Sequence, residues 1–451
     1  MPTDESAGLP DAAATHSLME FAGDASATVG TAPYDRADVS AAALGRDVDG
    51  RMGWDGSLGG ILLKGRTLAG ASLRRCNLSH GNLAGADLSD VKGSGLNLSG
   101  ASLEGAKLLR ADLIGATFTG ADGGEADFTG ALLEDAKFTA CSLRFANFTD
   151  AIMDGADLSS ADLWGARLDG ATAERANLEA ARLDESSMAA VELVGANLGG
   201  ATLRRANLQK AVLRDTNLRN AVLDGADLSY ADLRRATLPN VSLATCQLTH
   251  ARFAGAWLDR TRMQATSLGG MVGEEAHGDL DGAIDSYLIL EQNFRSLGKH
   301  DDESWCYRRR RRVQKRLYRK RSGELARKRA FMPALGMGMR YLGDVVAEWL
   351  CDYGDSVVRV LRAFFTTLAV FALVYWLTGS LRPREGFAAS HAFQWVNYLL
   401  FSLDSMTTVG TSEVALRPSG ELGMLLSSLQ TVIGTTLLGL FGFVLGGRIR
   451  S

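Results

Sequence analysis

From Leu58 to Leu268, every fifth residue is a large apolar side chain, and no insertion or deletion interrupts this phase. The exceptions are Gly93, Gly123 and Ala173. The residue two positions before each apolar centre is usually Ala or another small residue, while the other positions are mostly polar. A five-residue period fits neither a helix nor a strand, so it predicts a repeat architecture with one large and one small inward residue per unit.

Units such as Ala156-Asp157-Leu158-Ser159 and Ala161-Asp162-Leu163-Trp164 resemble the pentapeptide-repeat family. The resemblance implies a right-handed quadrilateral β-helix over residues 51–270, with four units in each coil. Coils spaced like neighbouring strands, at roughly 4.8 Å, would give about eleven coils and a rod about 50 Å long. Leu96 stands at a small position, and together with Gly93 and Gly123–Gly124 it predicts local irregularity near the fourth coil and shortly after it.

The family also contains acidic DNA mimics that bind topoisomerases, which is the alternative function for this domain. Between Arg51 and Gly270 there are 25 acidic and 23 basic residues. Imitation of duplex phosphate needs a dense surface of one sign, so this balance disfavours nucleic-acid mimicry.

The first thirty residues lack the basic and apolar regions of a signal peptide, and the start of the chain is rich in Ala, Gly and Asp. Residues 1–50 are therefore predicted to be a disordered tail. The five cysteines show no ligand spacing, and Cys76, Cys141 and Cys246 fall on the small inward phase, which predicts buried packing. The six histidines are scattered without a nucleophile or metal constellation. We therefore expect neither an enzyme nor a bound cofactor.

Residues 271–356 are predicted to form a helical connector. Helical spacing begins at Leu280 and ends before Gly298, and a second, basic helix follows from about Asp301. Its basic face is either solvated or in contact with anionic lipid headgroups, because it lies shortly before an apolar segment. Nucleic-acid binding is disfavoured by the lack of stacking aromatics. The predicted headgroup contacts are Arg308, Arg309, Arg310, Arg311, Arg312, Lys315, Arg316, Arg319 and Lys320. Residues 341–353 carry Val346 and Trp349 on one face and are expected to lie along the interface.

Two uncharged runs predict membrane-spanning helices within residues 357–451. Ala363 to Leu381 contains 19 residues and Leu422 to Leu445 contains 24, enough to cross the hydrocarbon layer. The outer flanks of both runs are basic, with Arg362 before the first and Arg448 after the second. The positive-inside rule then places both termini in the cytoplasm of a bacterial-type inner membrane.

Between the two runs, His391 to Ser405 is apolar and aromatic but too short to cross, which is typical of a re-entrant helix. It leads directly into Thr407-Thr408-Val409-Gly410-Thr411. This order resembles the two-span potassium-channel pore, and the fusion with a repeat domain resembles pentapeptide-repeat ion channels. The resemblance implies a homotetramer whose carbonyls at residues 408–411, with the Thr408 hydroxyl, contact potassium or another monovalent cation.

Thr411 and Ser412 stand where potassium channels have Tyr and Gly, so the sequence leaves both a potassium-selective and a non-selective or sodium-permeable channel open. By analogy with some potassium channels, Asp404 and Glu413, together with Ser412, are candidate supports of the filter. Glu413 as a solvated charge at the mouth is the alternative.

Gly434, Gly439 and Gly442 on the second span are candidates for a hinge or for close helix packing. The leading hypothesis is a tetrameric cation channel, with a cytoplasmic repeat domain for assembly or for regulation by an unidentified protein or ligand. A membrane-anchored interaction scaffold without conduction is the competing hypothesis.

Overall fold

The structure is a computed structural model that describes residues 59–60, 62–354, 356–383, 395–408 and 416–449. The predicted disordered tail, residues 1–50, lies outside the described residues. The chain divides into two compact units, Met1–Cys306 and Tyr307–Ser451.

The first unit is dominated by a β-helix whose coils contain twenty residues. Parallel bridges join residues twenty apart, from Leu62 with Asn82 to Ser242 with Arg262. The amide of an apolar centre donates to a carbonyl of the next coil, as from Leu158 to Asn177 at 2.7 Å. Four five-residue units therefore form each coil, and the predicted β-helix is confirmed.

The last residue of most five-residue units adopts a left-handed backbone conformation, which turns the chain at each corner of the coil. Asp150 has φ of 55° and Gly155 has φ of 70°. Asp, Asn and Gly tolerate this conformation better than other residues, which explains much of the glycine content. At Gly155 a Cβ atom would also lie 2.6 Å from Asp135 Oδ1, so the corner permits a close approach that a larger residue would block.

The β-helix interior contains a stack of phenylalanines in its middle coils. Phe118 and Phe138 stack with ring centroids 4.4 Å apart, and Phe128 and Phe148 do so at 4.7 Å. Phenylalanines on neighbouring sides of the β-helix meet edge to face, with ring centroids 5.8 Å apart. Offset and edge-to-face pairs of this kind stabilise a core beyond the area they bury.

The expected irregularity near the fourth coil is wrong. Bridges continue through Lys92 and Asp112 and through Asp122 and Ser142 without a break. A Cβ atom at Gly93 would lie 3.3 Å from Leu96 Cδ2, so the large side chain at the small position fills the space left by the glycine. The interior volume is conserved by exchanging the two sizes, and the coil has no reason to distort.

The buried cysteines of the β-helix match the prediction. Cys141 Sγ donates to the carbonyl of Phe118 at 2.8 Å, and Cys246 Sγ donates to that of Leu223 at 3.0 Å. Burial raises the pKa of Cys141 to about 11 and that of Cys246 to about 12, so both remain thiols at neutral pH. All five cysteines of the chain are free and buried.

A helical cap closes the final coil of the β-helix, which has no following coil to pair with. The chain forms a 3-10 turn at Ala265–Leu268 and then helices α1 (Gly273–Ala276) and α2 (Leu280–Ser296). Asn293 of α2 accepts from the Thr261 amide at 3.0 Å and donates to the Thr261 carbonyl at 2.8 Å. The side chains of Glu274, Asp285 and Asp302 accept further edge amides, and Lys299 donates to an edge carbonyl. These contacts give hydrogen-bond partners to backbone amides and carbonyls of the final coil, which would otherwise be free to pair with another chain.

Helix α3 (His300–Arg327) begins in the first unit and continues into the second. The second unit then contains α4 (Phe331–Cys351), a 3-10 turn at Asp352–Gly354, α5 (Val357–Thr378), α6 (Trp395–Thr407) and α7 (Gly420–Ile449). Two short antiparallel strands, β1 (Leu381–Pro383) and β2 (Leu416–Pro418), pair Arg382 with Arg417. This ribbon brings the end of α5 to the start of α7.

Candidate pore site

Helices α5 and α7 are long and apolar enough to cross a membrane. In the most apolar 18-residue stretch of each helix, only 17% of the residues of α5 and 22% of those of α7 are buried inside the chain. The exposed side chains include Phe365, Trp376 and Phe443. Soluble core helices bury such residues, so these faces require an apolar environment outside the single chain.

The boundaries of the first span differ from the prediction. Helix α5 begins at Val357, where the Ser356 Oγ accepts the Arg359 amide at 3.3 Å, and it ends before Gly379. Leu381, predicted as the end of the span, instead begins strand β1. Gly379 has φ of 58°, the left-handed conformation that commonly terminates helices.

Helix α6 packs against both α5 and α7. Tyr398 and Phe401 are buried with Ala372 and Tyr375 of α5, and the rings of Tyr375 and Phe401 meet edge to face at 5.2 Å. Met406 joins a second cluster with Ala363 of α5 and residues of α7. At 13 residues, about 20 Å, α6 is too short to cross the hydrocarbon layer.

The first two residues of the predicted filter lie at the end of α6. Thr407 is its last residue, and its hydroxyl donates to the Leu403 carbonyl at 2.9 Å. Thr408 is left-handed with φ of 55°, and its amide donates to the Asp404 carbonyl at 2.9 Å.

The rest of the predicted filter lies outside the described residues: Val409, Gly410 and Thr411, with the support residues Ser412 and Glu413. The predicted pairing of Asp404 with Glu413 therefore stays a prediction.

The three candidate hinge glycines have different surroundings on α7. A Cβ atom at Gly434 would lie 2.4 Å from the carbonyl oxygen and 2.5 Å from the Cα atom of Met406. At Gly439 and Gly442, apart from the nearby backbone of α7 itself, no atom of the described residues lies within 4 Å of such a Cβ position. Gly434 thus lies where α7 packs closely on α6, and the hinge hypothesis stays a prediction for all three glycines.

A buried polar network joins α5, α6 and α7. The Tyr375 hydroxyl donates to Gln430 Oε1 at 2.9 Å, and Gln430 Nε2 donates to the Ser402 carbonyl at 3.0 Å and to the Ser402 hydroxyl. The Ser402 hydroxyl donates to the Leu368 carbonyl at 2.9 Å. All three side chains are fully buried. The sequence prediction missed this network, although Gln430 is the only amide side chain in the second uncharged run.

An ion-pair network links α3 to α4 and to the start of α5. Arg311 pairs with Asp344 at 2.5 Å, and Arg312 pairs with Glu348 and with Asp352 at 3.2 Å each. Lys315 also pairs with Glu348. Arg359 of α5 extends the network to Asp352 at 3.4 Å.

The pKa values of two carboxyl groups of this ion-pair network are shifted in opposite directions. Burial raises the pKa of Asp344 despite the neighbouring Arg311 and Lys315. Burial also acts to raise the pKa of Glu348, but its hydrogen bonds and ion pairs with Lys315 and Arg312 outweigh that effect and lower it.

The nine basic residues predicted to contact lipid divide into three groups of three. Arg311, Arg312 and Lys315 lie in the ion-pair network, whose acidic partners the sequence prediction missed. Arg316, Arg319 and Lys320 are exposed, and Arg308, Arg309 and Arg310 are half-buried. Lipid contact stays a prediction for all nine.

Helix α4 exposes an apolar stripe along the side opposite its acidic residues. The stripe consists of Phe331, Leu335, Met339, Leu342, Val346 and Trp349, each exposed. The spacing of three or four residues places these side chains on one face, whereas Asp344 and Glu348 face the ion-pair network.

A family model for pentapeptide repeats matches eight segments of the chain: residues 57–92, 97–135, 126–165, 151–189, 166–205, 192–229, 201–238 and 226–264. A search among curated proteins found no match.

Several solved structures are similar to the chain, and two of the three described next are named as pentapeptide repeat proteins. HetL from the cyanobacterium Nostoc sp. strain PCC 7120, involved in regulation of heterocyst differentiation, is 30% identical over 46% of this chain and 89% of its own, with a TM-score of 0.22. QnrB1, a plasmid-mediated fluoroquinolone resistance protein, is 19% identical over 44% of this chain and 95% of its own, with a TM-score of 0.32. A protein of the Arabidopsis thaliana thylakoid lumen is 33% identical over 23% of this chain and 61% of its own, with a TM-score of 0.12.

Proposed function

This chain belongs to the pentapeptide-repeat family, and we propose that it is a homotetrameric cation channel that conducts potassium. In this proposal the second unit forms the pore and the β-helix is a cytoplasmic domain for assembly or regulation. A non-selective or sodium-permeable channel of the same architecture is the alternative, because Thr411 and Ser412 replace the usual Tyr and Gly.

The observation that carries the proposal is helix α6. It is too short to span a membrane, yet it packs between two helices that are long enough, and it ends at Thr407. A helix at membrane depth that stops before the far side leaves its terminal backbone groups unsatisfied unless they line a cavity. Such an arrangement has a use in ion conduction and none in a simple anchor.

The proposed ion ligands are the carbonyls of Thr408, Val409, Gly410 and Thr411 and the Thr408 hydroxyl. Four copies around an axis would replace the water shell of a monovalent cation. Gly410 would accept the backbone conformation that turns carbonyls inward. The single chain contributes one quarter of this ring, so the site is complete only in the tetramer.

The basic flanks of α5 and α7 support an orientation in an inner or plasma membrane with both termini in the cytoplasm. The apolar stripe of α4 suits the membrane interface, since the helix ends shortly before α5 begins. Exposed basic residues of α3, such as Arg319 and Lys320, would then contact anionic headgroups.

The decisive measurement is the reversal potential of the purified protein in planar bilayers under a potassium/sodium gradient. A reversal near the potassium equilibrium potential supports the selective channel, and a reversal near zero supports the non-selective one. The Gly410→Pro variant, checked for assembly by size-exclusion chromatography, is expected to carry no current because proline cannot adopt the required conformation. Wild-type protein without current would contradict conduction and favour the membrane-anchored scaffold. Undiminished current in the variant would contradict the proposed filter.

A further inference from the structure

The apolar second unit contains a polar network whose position suggests a role beyond helix packing. Tyr375, Ser402 and Gln430 come from three different helices and are 0% exposed. Polar side chains in an apolar bundle are costly unless they are paired, and these three pair with one another.

Gln430 is the centre of the network because both ends of its amide are used. Its oxygen accepts from Tyr375 of α5, while its nitrogen donates to the carbonyl and hydroxyl of Ser402 in α6. The Ser402 hydroxyl in turn donates to the carbonyl of Leu368 in α5 at 2.9 Å. Rotation or sliding of α6 against either long helix therefore breaks at least one of these bonds.

The network lies close to the first predicted filter residues. Ser402 is about one and a half turns before Thr408, a separation of six residues. One turn beyond Ser402, Met406 lies against Gly434, where even a methyl group would collide with the Met406 backbone. The hydrogen bonds and the close backbone contact therefore hold two successive turns of α6 against α7.

We propose that Gln430 is a positioning residue that holds the C-terminal end of α6, and with it Thr407 and Thr408, in the conducting arrangement. This inference rests on the proposed function. It assigns ion selectivity partly to hydrogen bonds inside each subunit, at a distance from the ion. Gln430 acts through Ser402 and touches no permeant ion in this arrangement.

The test compares Tyr375→Phe, Gln430→Met and the double variant with wild type. Tyr375→Phe removes only the hydroxyl and keeps the ring that packs on Phe401. Thr366→Val is the matched control, because the Thr366 hydroxyl donates to the carbonyls of Arg362 and Ala363 in its own helix and, within the described part of the chain, to no other helix.

Hydrogen bonds between membrane helices contribute about 0.6 to 1.7 kcal/mol, equivalent to about threefold to twentyfold. We expect the potassium/sodium permeability ratio to fall by about that factor in Gln430→Met and by less in Tyr375→Phe. The double variant should be no worse than Gln430→Met, because both changes break the same bond. Thr366→Val should keep the wild-type reversal potential.

Thermal melting of the same four proteins in detergent separates the two proposals. One contrary result is that the changes in melting temperature of the two single variants do not add up in the double variant while the reversal potentials stay unchanged. That result would overturn the inference, because the network would then stabilise the fold without positioning the filter. Additive melting temperatures would also overturn it, because the contact would be absent. Wild-type protein that melts cooperatively but carries no current would instead overturn the proposed function, and the inference with it.

Discussion

The two units of this chain place polar and apolar side chains in opposite ways. The β-helix buries Leu, Phe, Met and Ala in its interior and places most of its Asp, Asn and Arg at half-buried or exposed positions. The second unit exposes residues such as Val370, Trp376 and Phe443 while it buries Tyr375 and Gln430. The first pattern is what water selects, and the second is what an apolar surrounding selects. This reversal is independent support for placing the second unit in a membrane.

The largest expected effect lies in the phenylalanine stack of the β-helix. Phe138→Ala should lower the free energy of unfolding by about 3 to 5 kcal/mol, because it leaves a cavity between Phe118 and the neighbouring sides. Urea unfolding of the full-length protein, followed by the far-ultraviolet circular dichroism of the β-helix, measures this loss.

Phe145→Ala is the matched control, because Phe145 is 51% exposed and contacts Trp164 edge to face on the surface. Its loss should be well below that of Phe138→Ala. Equal losses would show that the stack is not the stabilising core of the domain.

The next effect tests packing in the second unit. Gly434→Ala should destabilise the protein by about 1 to 3 kcal/mol, because the new methyl group meets the Met406 backbone and separates α6 from α7. Melting temperature in detergent is the measurement. Gly439→Ala, whose Cβ position has no neighbour within 4 Å among the described residues beyond its own helix backbone, should instead gain up to about 1 kcal/mol from helix propensity. A stabilising Gly434→Ala would rule out the close contact.

The two units also differ in how far the sequence predicted them. In the β-helix the five-residue period assigns every residue to the interior, a side or a corner, because each unit pairs with the equivalent unit one coil later. The period did not predict the cap, since Glu274 and Asn293 pair with the last coil through contacts outside the repeat.

In the second unit, apolar length predicted that two helices span but gave no information on their rotation. Tyr375 and Gln430 are separated by 55 residues, and their pairing depends on which helix faces meet. The same limit explains why the acidic partners of Arg311 and Lys315 were missed: α4 had to fold back along α3 before Asp344 and Glu348 came within reach.

A smaller effect concerns the junction of the β-helix with its cap. Burial raises the pKa of Glu274, although its carboxylate accepts the amides of Phe253 and Ala254. A carboxyl group with a raised pKa favours folding when protonated, and that stabilisation is lost as pH rises from the unfolded through the folded pKa. Unfolding free energy should therefore fall by up to about 1.4 kcal/mol per pH unit in that window.

The Glu274→Gln variant distinguishes the effect of this carboxyl group on the pH dependence of stability from that of the other titratable groups. The amide oxygen keeps the two acceptor bonds, and the amide nitrogen can donate to the neighbouring buried Ser286 hydroxyl. The variant should be more stable than wild type at neutral pH, with a flatter pH dependence above pH 5. The measurement is urea unfolding at a series of pH values, and parallel curves for the two proteins would contradict the assignment.

The smallest effect lies on the water-facing side of the β-helix, where ion pairs contribute little. Arg235 and Asp215 are 2.5 Å apart, yet their side chains are 67% and 39% exposed. Arg235→Gln should change the free energy of unfolding by only about 0.2 to 1 kcal/mol, and by less in 1 M salt, where charges are screened within about 3 Å. Urea unfolding in low and high salt measures the difference. The loss of unfolding free energy could instead be as large as that of Phe138→Ala, or unchanged by salt. Either result would mean that the β-helix surface stabilises the fold as its interior does. The contrast between the two units would then rest on the second unit alone.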